Sequence, residues 1–305
     1  MEIKKAVVSG ALGFAGVHLT DLLLSRGIEV TALLRPGSSH DERLNMLKAE
    51  HKDAKITALY VDRAQHSLTE YVREIGEGQD VFFDLAWGGG RNDMSAQKEN
   101  IDRCLDSLKA AALMGCRRYV GIGSQAEYGV VKGIITEESP TLPFSAYGAA
   151  KLSACHLSRV LAQELGIEWI WGRIFSLTGE FEPEGRMMPD LVRKLKAGEA
   201  FSLSSCRQNW DYLDPKDCAA AILALAQNGR AGEIYNIANG AYRPLKEFVE
   251  EARDIYAPGT ELSFGADPEP FVSLAVSADK LKNDTGWKPV ISFRDTLQTW
   301  REDHG

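Results

Sequence analysis

The stretch Ile3-Lys4-Lys5-Ala6-Val7-Val8-Ser9 runs directly into Gly10-Ala11-Leu12-Gly13-Phe14-Ala15-Gly16. The short apolar run reads as a buried strand. Beyond the glycines, Val17, Leu22, Leu23 and Leu24 supply the apolar face of a helix over residues 15–25, closed by Arg26-Gly27. Gly10 permits a tight turn off the strand, Gly13 lets the backbone approach a pyrophosphate, and Gly16 allows close helix–sheet packing. The helix start, at Phe14 and Ala15, then presents unpaired N–H groups and a partial positive charge to phosphates. Residues 28–34 form a second strand, so the chain opens as a β-α-β unit and predicts a parallel sheet. The glycine spacing is G-x-x-G-x-x-G, not the commoner G-x-G-x-x-G.

The alternation continues outward from that turn. Residues 55–61, 81–86, 118–122 and 167–175 read as strands, and 67–75, 94–114 and 145–165 as helices. Helices on both faces of a mostly parallel sheet make a Rossmann-type doubly wound α/β fold. After residue 175 the pattern changes. Residues 180–185 read as a loop, 190–197 and 218–227 as helices, 211–213 and 233–237 as strands, and the last 65 residues as mixed short helices and strands. The expected division is a dinucleotide-binding domain over 1–175, which also receives roughly 211–240. A smaller C-terminal α/β substrate lobe takes 176–210 and 241–305.

Bulk properties narrow the classes. The chain has 305 residues, 44% hydrophobic and 26% charged, which is ordinary globular composition. A net charge of −8 argues against nucleic acid as the main partner. No apolar run is long enough to span a bilayer, and the N-terminus reads as a first strand, not a signal peptide. Cys104, Cys116, Cys155, Cys206 and Cys218 show no C-x-x-C spacing, so neither disulfides nor a metal site are expected. These features predict a cytoplasmic protein. His18, inside the first helix, reads as structural.

Cofactor choice is made at the tip of the second strand, Leu33-Leu34-Arg35-Pro36-Gly37-Ser38-Ser39. A carboxylate there would bind a ribose 2′-hydroxyl, and an arginine suits a 2′-phosphate. Arg35, with Ser38 or Ser39 assisting, favours NADP over NAD. Two further elements carry the chemistry. Ser124 stands in Gly123-Ser124-Gln125-Ala126-Glu127-Tyr128-Gly129, just past a strand end. Tyr147 and Lys151 share a helix face at i, i+4. A neighbouring ammonium favours the phenolate, and such a pair exchanges a proton with an oxygen while hydride moves at its carbon.

With these motifs in this order, the chain resembles the extended short-chain dehydrogenase/reductase family, in its nucleotide-sugar epimerase, dehydratase and ketoreductase branch. The resemblance runs nearly end to end. It implies that Ser124, Tyr147 and Lys151 are catalytic, with Lys151 also on the nicotinamide ribose. It implies cofactor contacts at Gly10, Gly13, Phe14, Ala15, Gly16, Arg35, Asp62, Arg63, Leu85, Ala86, Trp87, Asn100, Tyr147, Lys151 and Phe175. Asp62 matches an acid on the adenine, Leu85-Ala86-Trp87 a backbone-lined wall, and Arg173-Ile174-Phe175-Ser176 the nicotinamide lining. Residues 235–238 and 286–289 look like C-terminal landmarks. Ser124, Gln125, Ser176 and Trp210 are expected to face a nucleotide diphosphate sugar. A homodimer through helices 94–114 and 145–165 is also implied.

Three departures sharpen the reading. Family 4,6-dehydratases carry Asp-Glu after the catalytic hydroxyl residue, where this chain has Gln125-Ala126, which points away from elimination. Trp210 replaces an arginine that binds the substrate's phosphates, with Arg207 or Arg186 as substitutes, each read first as a surface charge. Ser176 replaces a common asparagine. The expectation is an NADPH-dependent reductase of a nucleotide-activated 4-keto-6-deoxy sugar, with Tyr147 as general acid. The alternatives are an NAD(P)-dependent nucleotide-sugar epimerase and a non-catalytic NADP-binding protein.

Overall fold

A computed structural model describes residues 1–37 and 40–299. Ser38 and Ser39, proposed helpers of Arg35, lie outside the described residues. The first half alternates strictly. β1 (Lys5–Ser9) leads to α1 (Phe14–Ser25), β2 (Glu29–Leu34), α2 (Asp41–Glu50), β3 (Ile56–Tyr60), a 3₁₀ turn and α3 (Val72–Ile75). Then come β4 (Val81–Asp84), α4 (Met94–Leu113), β5 (Arg118–Ser124), α5 (Ala146–Leu165) and β6 (Glu168–Ile174). The remainder holds β7 (Ser176–Leu177), α6 (Met187–Ala197), β8 (Asn209–Trp210), β9 (Tyr212–Leu213), α7 (Pro215–Asn228) and β10 (Ile234–Ile237). It ends in β11 (Arg243–Pro244), α8 (Leu245–Tyr256), α9 (Asp279–Thr285) and α10 (Phe293–Thr299).

Seven strands form one parallel sheet in the order β10-β6-β5-β4-β1-β2-β3. Alternate side chains point to opposite faces of a strand. Val8 and Phe83 therefore join the apolar layer that α1 and α7 cover, while Val7 and Phe82 join the layer under α4 and α5. Each such fully buried side chain contributes about 1.5–3 kcal/mol. β1 lies between β2 and β4, so the chain order reverses there and opens a crevice beyond the carboxyl ends of the strands. A separate apolar cluster, including Leu191, Leu195, Tyr212, Phe248, Val249 and Leu297, holds α6, α8 and α10 together on the far side of that crevice. No described helix is long and apolar enough to cross a membrane. All five cysteines are buried and free. His18 is buried in α1, its Nε2 2.9 Å from the Glu180 carbonyl.

Three expectations differ from the structure. Helix α2 was not foreseen, because only Leu44 and Leu47 of its ten residues are buried and most of the others are polar. The helix read over 67–75 is a 3₁₀ turn, Leu68–Tyr71, followed by one α-helical turn. Ser67 and Glu70 close a capping box that fixes the tight start. After residue 240 the only described strand is β11, and helices dominate. In α8 the spacing of Leu245, Phe248, Val249 and Ala252 sets one buried face.

Candidate active site

The crevice is a cleft of about 990 Å³. Its floor begins at the glycine turn. Gly10 has φ +70°, which a side chain would strain. A Cβ on Gly16 would sit 2.0 Å from the Gly10 carbonyl oxygen, so Gly16 is required by the turn itself. Gly13 caps α1 with no side-chain bond, and no acid stands in the first turn. The leading N–H groups of α1 are thus free for an anion, and Gly10, Gly13, Phe14, Ala15 and Gly16 all line the cleft. The residues present fit a dinucleotide pyrophosphate.

The opposite wall follows β4. The Ser9 hydroxyl donates to Asp84, and Tyr119 donates to the same carboxylate at 2.6 Å. Burial and that negative neighbour push the Tyr119 phenol well above its ordinary range. Leu85 and Trp87 line the cleft. The Ala86 N–H instead donates to Ser9 Oγ at 3.2 Å, so Ala86 ties the wall to β1. Asn100 does not line the cleft. It holds the wall from behind, with Nδ2 donating to the Gly88 carbonyl at 2.8 Å. Gln97, which sequence reasoning missed, accepts from Trp87 Nε1 at 2.8 Å and donates to the Gly90 carbonyl at 3.0 Å.

Ser124, Tyr147 and Lys151 meet in this cleft. β5 ends at Ser124, and Ser145 caps α5 through the Gly148 N–H, which places Tyr147 in the first turn. Ser124 Oγ accepts the Ala126 N–H at 3.2 Å, and the Ser124 hydroxyl stands near enough to the Tyr147 phenol to draw its pKa down. Burial raises the Tyr147 pKa above its ordinary value of 10.0, opposed by Ser124, Arg91 and Arg186. Lys151 is buried, and desolvation pushes it down to about 8. Its ammonium donates to the Ile122 carbonyl at 2.5 Å. A neutral phenol beside a hydroxyl, with a buried ammonium below, can deliver a proton to an oxygen held between the first two.

The same cleft is also lined by Gln125, Phe175, Ser176 and Trp210, together with Arg91, Glu182, Arg186, Met187, Met188 and Tyr212. Of the two substitute cations, Arg207 is bound to Asp267 on the exposed surface, whereas Arg186 reaches the cleft, 5.8 Å from the Phe14 ring. Arg186 is exposed, as its surface reading expects, and it also lines the cleft. Arg35 and Asp62, just past β2 and β3, lie outside the cleft lining, and Arg35 is exposed. The Arg63 guanidinium also departs from its assignment. It donates to Ser107 Oγ at 2.7 Å and to Asp106 at 2.9 Å, so it braces α4 and is not free for a cofactor. The acidic partner at 106, three residues beyond Arg103, carried no signal in the sequence pattern.

A parallel sheet with a glycine cradle at its switch point and a serine–tyrosine–lysine group beside it defines a nicotinamide-dinucleotide enzyme. The chain belongs to the NAD dependent epimerase/dehydratase family, whose profile matches residues 6–238. It is thus an enzyme of the extended short-chain dehydrogenase/reductase type. It is 24% identical over 336 residues to a dTDP-glucose 4,6-dehydratase of Xanthomonas campestris pv. campestris, covering 96% of this chain and 94% of that one. It is 25% identical over 250 residues to a dTDP-6-deoxy-L-talose 4-dehydrogenase (NAD(+)) of Aggregatibacter actinomycetemcomitans, covering 80% and 88%. The fold matches a UDP-glucose 4-epimerase from Thermotoga maritima, solved with UDP-glucose, with TM-score 0.84, 22% identity and 96% of each chain covered.

Proposed function

We propose that this enzyme is an NADPH-dependent reductase of a nucleotide-activated 4-keto-6-deoxy sugar. The carrying observation is the placement of Tyr147, a phenol that burial holds in its neutral form, in one cleft with Ser124 and Lys151. A reduction needs a proton donor at the carbonyl oxygen, and a neutral phenol is one. A nicotinamide dinucleotide held at the glycine turn by Gly10, Gly13 and the start of α1 would supply hydride to the carbonyl carbon. Ser124 orients the carbonyl oxygen, and Tyr147 gives it the proton, leaving an alcohol and a phenolate that recovers its proton from solvent. Lys151, with its ammonium beneath, favours that transient phenolate.

Several observations support the finer points. Gln125 and Ala126 stand where elimination needs an acid and a base, and neither side chain can serve as one. Trp210 and Tyr212 give the substrate end an aromatic wall, and Arg186 is its cation for a diphosphate. No carboxylate stands at the tip of β2, where Arg35 is exposed for a 2′-phosphate. Glu29, at the other end of that strand, pairs with Lys55 at 3.0 Å. The relative named for dTDP-6-deoxy-L-talose is a 4-dehydrogenase, which is the same bond and the same substrate class. The exposed side chains of Leu157 and Val160 on α5 and Leu113 on α4 support a homodimer through these helices.

An epimerase is the second reading, favoured by the fold shared with the UDP-glucose 4-epimerase. The test is incubation of the purified enzyme with NADPH and a 4-keto-6-deoxy sugar nucleotide, and separately with UDP-glucose. Stoichiometric NADPH oxidation with the keto sugar is the expected result. Interconversion of the UDP-sugar without net NADPH consumption would transfer the assignment to epimerisation.

A further inference from the structure

Directly beneath Ser124 lies a charged pair, Glu127 and Arg173, that takes no part in the proton transfer. Their side chains are 0% and 3% exposed. Glu127 Oε1 accepts the backbone N–H of Ser124 at 2.9 Å and the Trp171 indole N–H at 3.0 Å. Glu127 Oε2 accepts Arg173 Nε at 2.7 Å. The Arg173 guanidinium lies 4.5 Å from the Tyr128 ring centroid, and the Tyr128 hydroxyl donates to Asn236 Oδ1 at 2.7 Å. The backbone is cut to this pair. A Cβ on Gly123 would lie 2.2 Å from Glu127 Oε1 and 2.1 Å from Trp171 Nε1.

Stability alone does not account for the arrangement. Desolvating two ions costs several kcal/mol each, and an apolar pair of similar volume often serves a core as well or better. What the carboxylate does locally is hold the last residue of β5. Ser124 has its N–H bound by Glu127 while its Oγ accepts the Ala126 N–H. One lone pair of the hydroxyl is thereby occupied and its backbone is pinned. The remaining hydroxyl hydrogen is left for Tyr147 or for a substrate oxygen.

We propose that Glu127 is a positioning residue. Its carboxylate, held by Arg173 and Trp171, fixes Ser124 so that the hydroxyl meets the oxygen to which Tyr147 gives its proton. This inference rests on the reading that Ser124 and Tyr147 flank the reacting oxygen.

Two double variants test it without leaving a lone buried charge. Glu127→Leu with Arg173→Met removes the acceptor for the Ser124 N–H. Glu127→Gln with Arg173→Met keeps an oxygen acceptor there. The leucine version is expected to lose about 10- to 100-fold in kcat, with KM and NADPH affinity within about twofold, because misplacement of a reacting group costs rate and not binding. The glutamine version is expected to recover to within about threefold of wild type. In the unliganded proteins, exchange of the Ser124 amide proton should quicken about tenfold or more in the leucine version and stay slow in the glutamine one. Wild-type kcat in the folded leucine version overturns the inference, as does an unchanged Ser124 amide. Tyr147→Phe separates the two levels. If it turns over normally, the reading of the site fails. If it is inactive while the leucine version is normal, only the role of Glu127 fails.

Discussion

The Lys151 ammonium lies 3.7 Å from the centroid of the Trp87 ring, with α5 contributing the charge and the wall after β4 the indole. A cation over an aromatic face gains about 0.5–2 kcal/mol, which offsets only part of the cost of full burial. The remainder is visible as the lowering of Lys151 from 10.5 to about 8. Burying this ammonium therefore costs the fold more than the indole returns.

That cost is measurable. A displacement from 10.5 to about 8 corresponds to about 3 kcal/mol against the folded state. It is fully present below about pH 8, where Lys151 is protonated both folded and unfolded. Between about 8 and 10.5 the unfolded chain holds more protons at this site than the native one, so its contribution to unfolding free energy rises with pH. Lys151→Met is therefore expected to be more stable than wild type by about 1–3 kcal/mol at pH 7, with the gap closing toward pH 10. Its kcat should fall by about 100-fold or more. Urea unfolding of both proteins at pH 7 and pH 10 checks the first point, and a larger gap at pH 10 would contradict it.

Arg35 is exposed past the end of β2, with no carboxylate at that tip to repel a phosphate. Charge-assisted bonds of this kind contribute about 1.5–3 kcal/mol. Arg35→Ala should weaken NADPH binding about 10- to 100-fold and leave NADH binding within about twofold. Titration of protein fluorescence with each cofactor reads both numbers. Equal weakening of the two would remove the 2′-phosphate contact.

The parts of this molecule that are local in sequence are the parts its sequence announces. The turn at Gly10 and Gly16 is a contact between residues six apart, and Tyr147 and Lys151 share a helix turn, so spacing alone reveals both. Contacts between distant elements do not show in this way. Glu127 has no ion-pair partner nearby in sequence to mark it, and Trp171 and Arg173 reach it from the neighbouring strand. Arg63 reads as a cofactor residue until α4 presents Asp106 and Ser107. Arg186 and Arg207 are equivalent on paper, and only the fold sends one to the cleft and the other to Asp267. Helix α2 escaped because two buried leucines in a polar segment carry too little periodicity.

Leu157 and Val160, three residues apart on α5, are 50% and 56% exposed, and Leu113 of α4 is 60% exposed. Large apolar side chains left in water on adjacent helices favour association. Wild type should run as a dimer in light scattering, and the double variant Leu157→Glu with Val160→Glu as a monomer at the same concentration. Neither side chain is buried in the single chain, so its intrinsic stability should change by no more than about 0.5 kcal/mol. A dimer that survives both charges would move the interface elsewhere.

Glu182 gives the substrate end a pH dependence of its own. Burial pushes its carboxyl up to about 7, against the lowering pull of the Thr178 hydroxyl, which donates at 2.7 Å, and of Arg186. Glu182 and Arg186 both line the cleft. Below about pH 7 the carboxyl is neutral, and Arg186 acts on a diphosphate unopposed. Above it the carboxylate appears beside the arginine and repels the same anion. KM for a nucleotide diphosphate sugar should therefore rise about three- to tenfold from pH 6 to pH 8.5. Glu182→Gln should flatten that rise, and Arg186→Ala should lift KM about tenfold at every pH. A wild-type KM that is flat across this range, or a Glu182→Gln enzyme that keeps the slope, would show that this carboxyl does not face the phosphates.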